Sequence, residues 1–114
     1  MLDVTFYQDS RNRLSSFFAS GHVEIPETSS DEFSLVCAAV SAILQAARLG
    51  LETYAKPGLE VEQHSGRLHV RWAEASRDDD ATRAIVTTAQ RAIEQIARRY
   101  PAHVRLHRER DERA

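Results

Sequence analysis

The chain has 114 residues, of which 42% are apolar and 28% charged, proportions typical of one soluble globular domain. Its formal net charge of −2 gives no positive surplus for nucleic acid, and apolar runs shorter than the roughly 20 residues that cross a bilayer predict no transmembrane helix. The N-terminus resembles no signal peptide, and the single cysteine excludes an internal disulfide, so a cytoplasmic protein is expected.

The first half of the chain is predicted to form two strands and a helix. Residues 2–7 alternate apolar and polar side chains, and LSSFFASGH at 14–22 follows a turn, so the two segments predict a hairpin. Residues 23–31 contain Pro26 and small polar residues and indicate a loop. From about residue 32 to 51, apolar residues recur every three or four positions, which predicts an amphipathic helix.

The second half repeats this arrangement and adds a strand. Residues 59–72 predict a hairpin that turns at His64-Ser65-Gly66. The acidic segment SRDDD suits the start of a second helix, which is expected to run to about Tyr100. HVRLH at 103–107 alternates again and predicts a last strand.

The predicted order along the chain is therefore ββαββαβ. Because hairpins pair antiparallel, the expected class is α+β, with a mainly antiparallel sheet and two helices on one face. The other face is expected to carry Tyr7, Phe17 and Ala19, which suggests a surface for a homodimer. One domain is predicted over residues 1–107, followed by a charged, disordered tail at 108–114.

Cys37 and His22 are the residues that suggest chemistry. His22 follows Gly21 at the end of the second strand, and Cys37 lies near the start of the first helix, so a strand end and a helix start can bring them together at one rim. His22 would then take the thiol proton and return a proton to a leaving amine. Gly21 either leaves room for a substrate backbone or simply ends the strand. Cysteine is also a common core residue, and this alternative stays open.

The start of the first helix relative to Cys37 is also open. Ser29-x-x-Glu32 has the spacing of a capping box, which places Cys37 in the second turn. If Ser34 is the N-cap instead, Cys37 is the third helical residue, close to the free amides. Ser41, one turn after Cys37, either hydrogen-bonds near the site or bonds its own helix backbone. No metal site is expected, because one cysteine and scattered histidines match no ligand spacing.

Several short motifs carry a resemblance to a known family. SGH at 20–22, a loop, and CAAVSAILQ at 37–45 resemble the ribosomal-processing cysteine proteases. GLE at 50–52 and IEQIARRYP at 93–101 follow in that family's order, so the resemblance extends over nearly the whole chain.

The resemblance implies a cysteine endopeptidase that removes a short N-terminal extension from a large-subunit ribosomal protein, cutting beside an aromatic residue. It implies Cys37 as nucleophile and His22 as general base and acid, in a cytoplasmic homodimer. The expected partner is the ribosomal protein's N-terminal peptide, with no direct nucleic acid, no membrane and no cofactor.

One departure from the family pattern opens a second hypothesis. The family usually has an aspartate three residues before the cysteine, where this chain has Ser34. Serine is an adequate substitute if that aspartate only caps the helix; otherwise activity depends on Asp31 or Glu32 standing in. The alternative is a catalytically inactive, ribosome-associated homodimeric scaffold of the same fold. An RNA-binding module is a third hypothesis, which the net acidity disfavours.

Overall fold

The structure is a computed structural model that describes residues 1–21 and 31–111, without the side chains of Asp31, Phe33 and Ser34. His22, the rest of the predicted loop to residue 30, and residues 112–114 lie outside the described residues.

Five strands and two helices follow the predicted order. The strands are β1 (Leu2–Gln8), β2 (Leu14–Ser20), β3 (Glu60–His64), β4 (Arg67–Arg71) and β5 (Val104–Arg110). The helices are α1 (Asp31–Tyr54) and α2 (Asp80–Arg99), and a 3-10 turn at Glu74–Ser76 precedes α2. Asp79 caps α2, because its side chain accepts a hydrogen bond from the Thr82 backbone N–H.

The strands form one sheet in the order β3-β4-β2-β1-β5. Neighbouring strands are antiparallel except β5, which lies parallel to β1 after the crossover through α2. The prediction of an α+β fold with a mainly antiparallel sheet is confirmed.

The core lies between the sheet and the two helices. Phe6 of β1 stands opposite Phe17 of β2, which stands opposite Val70 of β4, and none of the three is exposed. Each helix buries one apolar stripe in this core, which includes Val36, Val40, Leu44, Ala47 and Leu51 of α1 and Val86, Ala89 and Ile93 of α2. The residues whose spacing predicted the helices therefore form the surface that packs on the sheet.

The prediction that Phe17 and Ala19 lie on the open face of the sheet is wrong. Three apolar residues follow one another in β2, so alternation alone does not fix which of them turn inward. The antiparallel register pairs Phe17 with Phe6, which places Phe17 and Ala19 in the core. Tyr7 and Phe18 are the aromatic residues that lie together on the open face, where both line one shallow groove.

One helix has the length and composition of a membrane span, although the uninterrupted apolar runs of the sequence are shorter than about 20 residues. The stretch Leu35–Tyr54 of α1 has 20 residues and a mean hydropathy of 1.5, which suffices by length and composition. Arg48 and Glu52 interrupt its apolar run, so the count of consecutive apolar residues missed it. A core helix passes the same test, and α1 contributes a stripe to the core.

β5 continues beyond residue 107, where the sequence placed the start of a charged tail. It pairs with β1 as far as Arg110, and Asp111 behind it is buried. The Asp111 carboxylate accepts a hydrogen bond from the Ser15 hydroxyl at 2.9 Å and pairs with Arg71. Residues 108–111 thus belong to the folded domain.

Candidate active site

Cys37 lies in the second turn of α1. The helix begins at Asp31, so Cys37 is its seventh residue and Ser34 its fourth. The alternative in which Ser34 caps the helix is therefore wrong, and Cys37 lies in the second turn, as the other alternative placed it. Ser29, the cap in that alternative, lies outside the described residues. The Glu32 carboxylate lies 3.0 Å from Nε2 of His103, an ion pair when that imidazole is protonated, and this contact ties the first turn of α1 to the start of β5.

The Cys37 thiol is buried, with 8% of the residue exposed, and it belongs to the hydrophobic core cluster. Burial raises the pKa of the thiol, and the positive charge of the Met1 amine partly opposes this effect. Within residues 1–21 and 32–111, no described side chain forms a hydrogen bond with the Cys37 sulfur. The raised pKa disfavours the thiolate at neutral pH.

Gly21 is held at the same end of the sheet. Its N–H donates to the Gly66 carbonyl at 3.1 Å, which ties the end of β2 to the β3–β4 turn. A Cβ on Gly21 would lie 2.8 Å from the Met1 carbonyl oxygen and 2.9 Å from the Leu2 Cα, and its φ of +153° is one that side-chain-bearing residues rarely adopt. The space beside Gly21 is thus occupied by the start of β1.

A groove opens between α1 and the β3–β4 hairpin, one helical turn beyond Cys37. Ser41, Leu44 and Gln45 form its α1 wall, and its volume is about 360 Å³. The opposite wall and the floor are formed by the hairpin tip, Gln63, His64, Ser65, Gly66, Arg67 and Leu68, with Leu2 and Ala19 below. The Ser41 hydroxyl makes no hydrogen bond within the part of the chain that the structure describes, so it is available to a ligand in this groove.

The structure thus brings Cys37, Gly21 and Ser41 to one end of the sheet. Asp31 and Ser34 lie in the first turn of α1, with their side chains outside the description, and His22 lies outside the described residues altogether. The sequence predicted the β3–β4 turn but not that this turn forms a wall of the groove opposite α1. No local sequence pattern shows that the tip of a hairpin faces a helix. Over the described ranges, no group of three or more His, Cys, Asp or Glu side chains is placed to hold a metal ion.

A comparison with known protein families identifies the family of this chain. Residues 1–105 match the family described as "Cysteine protease Prp". The chain belongs to this family. The match extends from β1 into β5 and so includes both Gly21 and Cys37.

Solved structures share the fold of this Prp family member over almost its whole length. Two are of an essential ribosomal processing protease Prp from S. aureus, with a covalently linked product peptide and with a substrate peptide, at 20% and 19% sequence identity. Both have a TM-score of 0.78, covering 95% of this chain and 99% of theirs. A Streptococcus mutans protein is 22% identical with a TM-score of 0.78, covering 97% and 96%. The comparison with curated proteins gave no match.

Proposed function

We propose that this chain is a cysteine endopeptidase that removes a short N-terminal extension from a large-subunit ribosomal protein, with Cys37 as nucleophile and His22 as general base and acid. The observation that carries the proposal is that the only cysteine of a member of a cysteine protease family lies one helical turn from a groove with an apolar floor.

The position of Gly21 supports His22 as the base. Gly21 contacts Met1, and the Met1 amine is close enough to Cys37 for its charge to act on the thiol. Gly21, the last described residue before residue 22, therefore lies at the same end of the sheet as Cys37. Because burial raises the pKa of the thiol, a nearby imidazole that accepts its proton has a large effect on the amount of thiolate.

The proposed reaction then follows from the two groups. The Cys37 sulfur attacks the scissile carbonyl as its proton passes to His22, and His22 gives that proton to the departing amine, which leaves a thioester. Water, deprotonated by His22, hydrolyses the thioester and restores the thiol. The free N–H groups of α1 belong to its first turn, residues 31–34, and these are the helix donors available to the oxyanion.

The groove supports an extended peptide as substrate. Its floor is apolar at Leu2, Ala19 and Leu68, and its size suits a large apolar side chain. These features suit cleavage beside an aromatic residue.

Mass spectrometry of the ribosomal-protein precursor after incubation with the full chain tests the proposal. We expect the wild type to release the N-terminal extension, and Cys37→Ala and His22→Gln to lose cleavage at least about a hundredfold while keeping the circular dichroism of the wild type. His107→Gln, whose imidazole lies 3.0 Å from the Asp3 carboxylate and outside the groove, serves as the matched histidine control and should retain full activity. Normal cleavage by Cys37→Ala would show that the mechanism is wrong.

The inactive scaffold is the second candidate, and the buried thiol with a raised pKa favours it. Iodoacetamide labelling as a function of pH separates the two. A Cys37 that reacts well below pH 8 in the wild type, and only at higher pH in His22→Gln, supports the protease. A thiol that is inert in both supports the scaffold, and cleavage gained by Ser34→Asp would then identify the serine as the cause.

A cytoplasmic homodimer is the assembly we propose for either function. The open face of the sheet carries Tyr7, Phe18 and His69, with the Phe18 and His69 rings 6.0 Å apart in an edge-on arrangement. Sedimentation equilibrium of the wild type and Phe18→Asp tests this face. We expect a dimer for the wild type and a monomer for the variant, and a wild-type monomer would contradict the assembly.

A further inference from the structure

The outer edge of β5 is open along much of its length. β5 is the last strand of the sheet, and β1 is its partner on one side. The Leu2 N–H donates to the His103 carbonyl, so alternate residues, counted from His103, direct their backbone groups to β1. The N–H and C=O groups of Leu106 and Arg108 therefore point outward, and neither residue's outward groups have a partner in residues 1–21 or 31–111.

A groove runs beside this edge, between β5 and the C-terminal half of α2. Its volume is about 650 Å³. Its floor is apolar, formed by Ala97, Pro101, Val104 and Leu106. An open strand edge next to an apolar groove is the arrangement that lets an extended peptide add as a strand while its alternate side chains enter the groove.

The rim of the groove is positively charged. Arg98 and Arg108 share the single carboxylate of Glu94, at 2.8 and 2.6 Å. Arg105, also on the rim, has no ion pair among the residues that the structure describes. The rim thus carries three guanidinium groups and one carboxylate, and a negatively charged ligand is favoured.

We propose that the β5 edge binds an extended acidic segment of a partner protein, which adds to the sheet as a sixth strand. The alternation of β5 fixes what the segment carries: an apolar side chain opposite Leu106, and an acidic one two positions away opposite Arg108. A further acid on the other face would meet Arg105. Nucleic acid has no backbone ladder to match the outward N–H and C=O groups, and a second copy would bring the same arginines to the interface.

Fluorescence anisotropy of a labelled nine-residue peptide tests the proposal. The peptide carries one Val, a Glu two positions from it on the same strand face, a second Glu next to the Val on the other face, and Thr elsewhere. The Cys37→Ala chain is used, so that the peptide is not cut. We expect this peptide to bind at least about tenfold more tightly than the same peptide with Lys for Glu, because two ion pairs change sign. Methylation of the peptide backbone N–H groups should weaken binding by a similar factor, since it removes the strand pairing.

Charge reversal locates the site. The double variant Arg105→Glu with Arg108→Glu should invert the preference, so that the Lys peptide binds more tightly. The control is Arg83→Glu with Arg91→Glu, which makes the same change of net charge on exposed positions of α2 outside the groove. This control should leave the preference unchanged. Equal binding of both peptides, or tight binding of an oligothymidine of matched charge, would overturn the proposal. So would a wild-type dimer that Arg105→Glu with Arg108→Glu dissociates, because the edge would then belong to a second copy.

Discussion

Replacing Asp9 with asparagine tests how much the buried ion pairs of Asp9 with Arg13 and Arg77 stabilise the C-terminal end of β1. The Asp9 carboxylate is 1% exposed and accepts hydrogen bonds from the backbone N–H groups of Arg11 and Arg13 and from the side chains of Arg13 and Arg77. Burial alone would raise the pKa of Asp9, but these hydrogen bonds outweigh it and lower the pKa from 3.8 to about 2.

The lowered pKa of Asp9 sets the size and the pH range of its effect. Because the pKa is lower in the folded chain than in the unfolded chain, ionised Asp9 stabilises the fold above about pH 4, and this stabilisation is lost as the pH falls toward 2. A shift of nearly two pKa units corresponds to about 2 kcal/mol in the free energy of unfolding. Roughly half of that is lost by about pH 3.

Urea denaturation at about pH 6 and pH 3 measures this dependence. We expect Asp9→Asn to lower the free energy of unfolding by about 3 kcal/mol at pH 6, since it also leaves the buried Arg77 without its counter-ion, and the gap to wild type should narrow by about 1 kcal/mol at pH 3. Asp78→Asn is the control, because its carboxylate pairs with Arg13 while 68% exposed, and its cost should stay below about 1 kcal/mol. A gap between Asp9→Asn and wild type that is the same at both pH values would refute the reasoning.

Three further substitutions have definite expected results. Gly21→Ala should lower the free energy of unfolding by at least about 2 kcal/mol in urea, because of its φ and its contact with the backbone at the start of β1. Gly50→Ala, whose Cβ would press on the Ile85 side chain and on no backbone atom, should cost less than about 1 kcal/mol. Trp72→Phe should cost about 2 kcal/mol in the same assay, because the unexposed indole N–H donates to a main-chain carbonyl at 2.8 Å; a cost near zero would contradict this. Ser41→Arg should fill the groove and raise the KM for the precursor about tenfold, while Ala42→Arg on the exposed side of α1 should not, and equal KM values would remove the groove from the substrate path.

The periodic spacing of apolar residues was sufficient to predict the strands and helices of this fold, because most strands and both helices bury one face each. β1 alternates cleanly, and Val4 and Phe6 are buried as that alternation predicts. β2 does not alternate, so the direction of Phe17 could be decided only by its pairing with β1 and β4. β5 is too rich in charge to be recognised beyond residue 107, because a strand at a sheet edge keeps its charged side chains in water.

The candidate site was predictable to a smaller extent. Cys37 was singled out as the only cysteine, but its burial and its raised pKa depend on how α1 packs. The contact of Gly21 with Met1 and Gly66 joins residues that are far apart in sequence, and such contacts leave no local pattern. The role of His22 remains a proposal that rests on the family and on the position of its neighbour.

The pairing of β1 with β5 sets the order in which the sheet is completed. Leu2 stands opposite Val104, so β1, the first of the five strands to be synthesised, acquires one of its two partners only after the other three strands and both helices have been made. Contacts between such distant segments form slowly, because a long loop must close before they are gained. Until then β1 exposes an unpaired apolar edge, and the newly made chain is at its most prone to aggregate. A permuted gene in which the β5 segment is translated directly before β1, through a linker long enough for a parallel crossover, should shorten that interval and give more soluble protein.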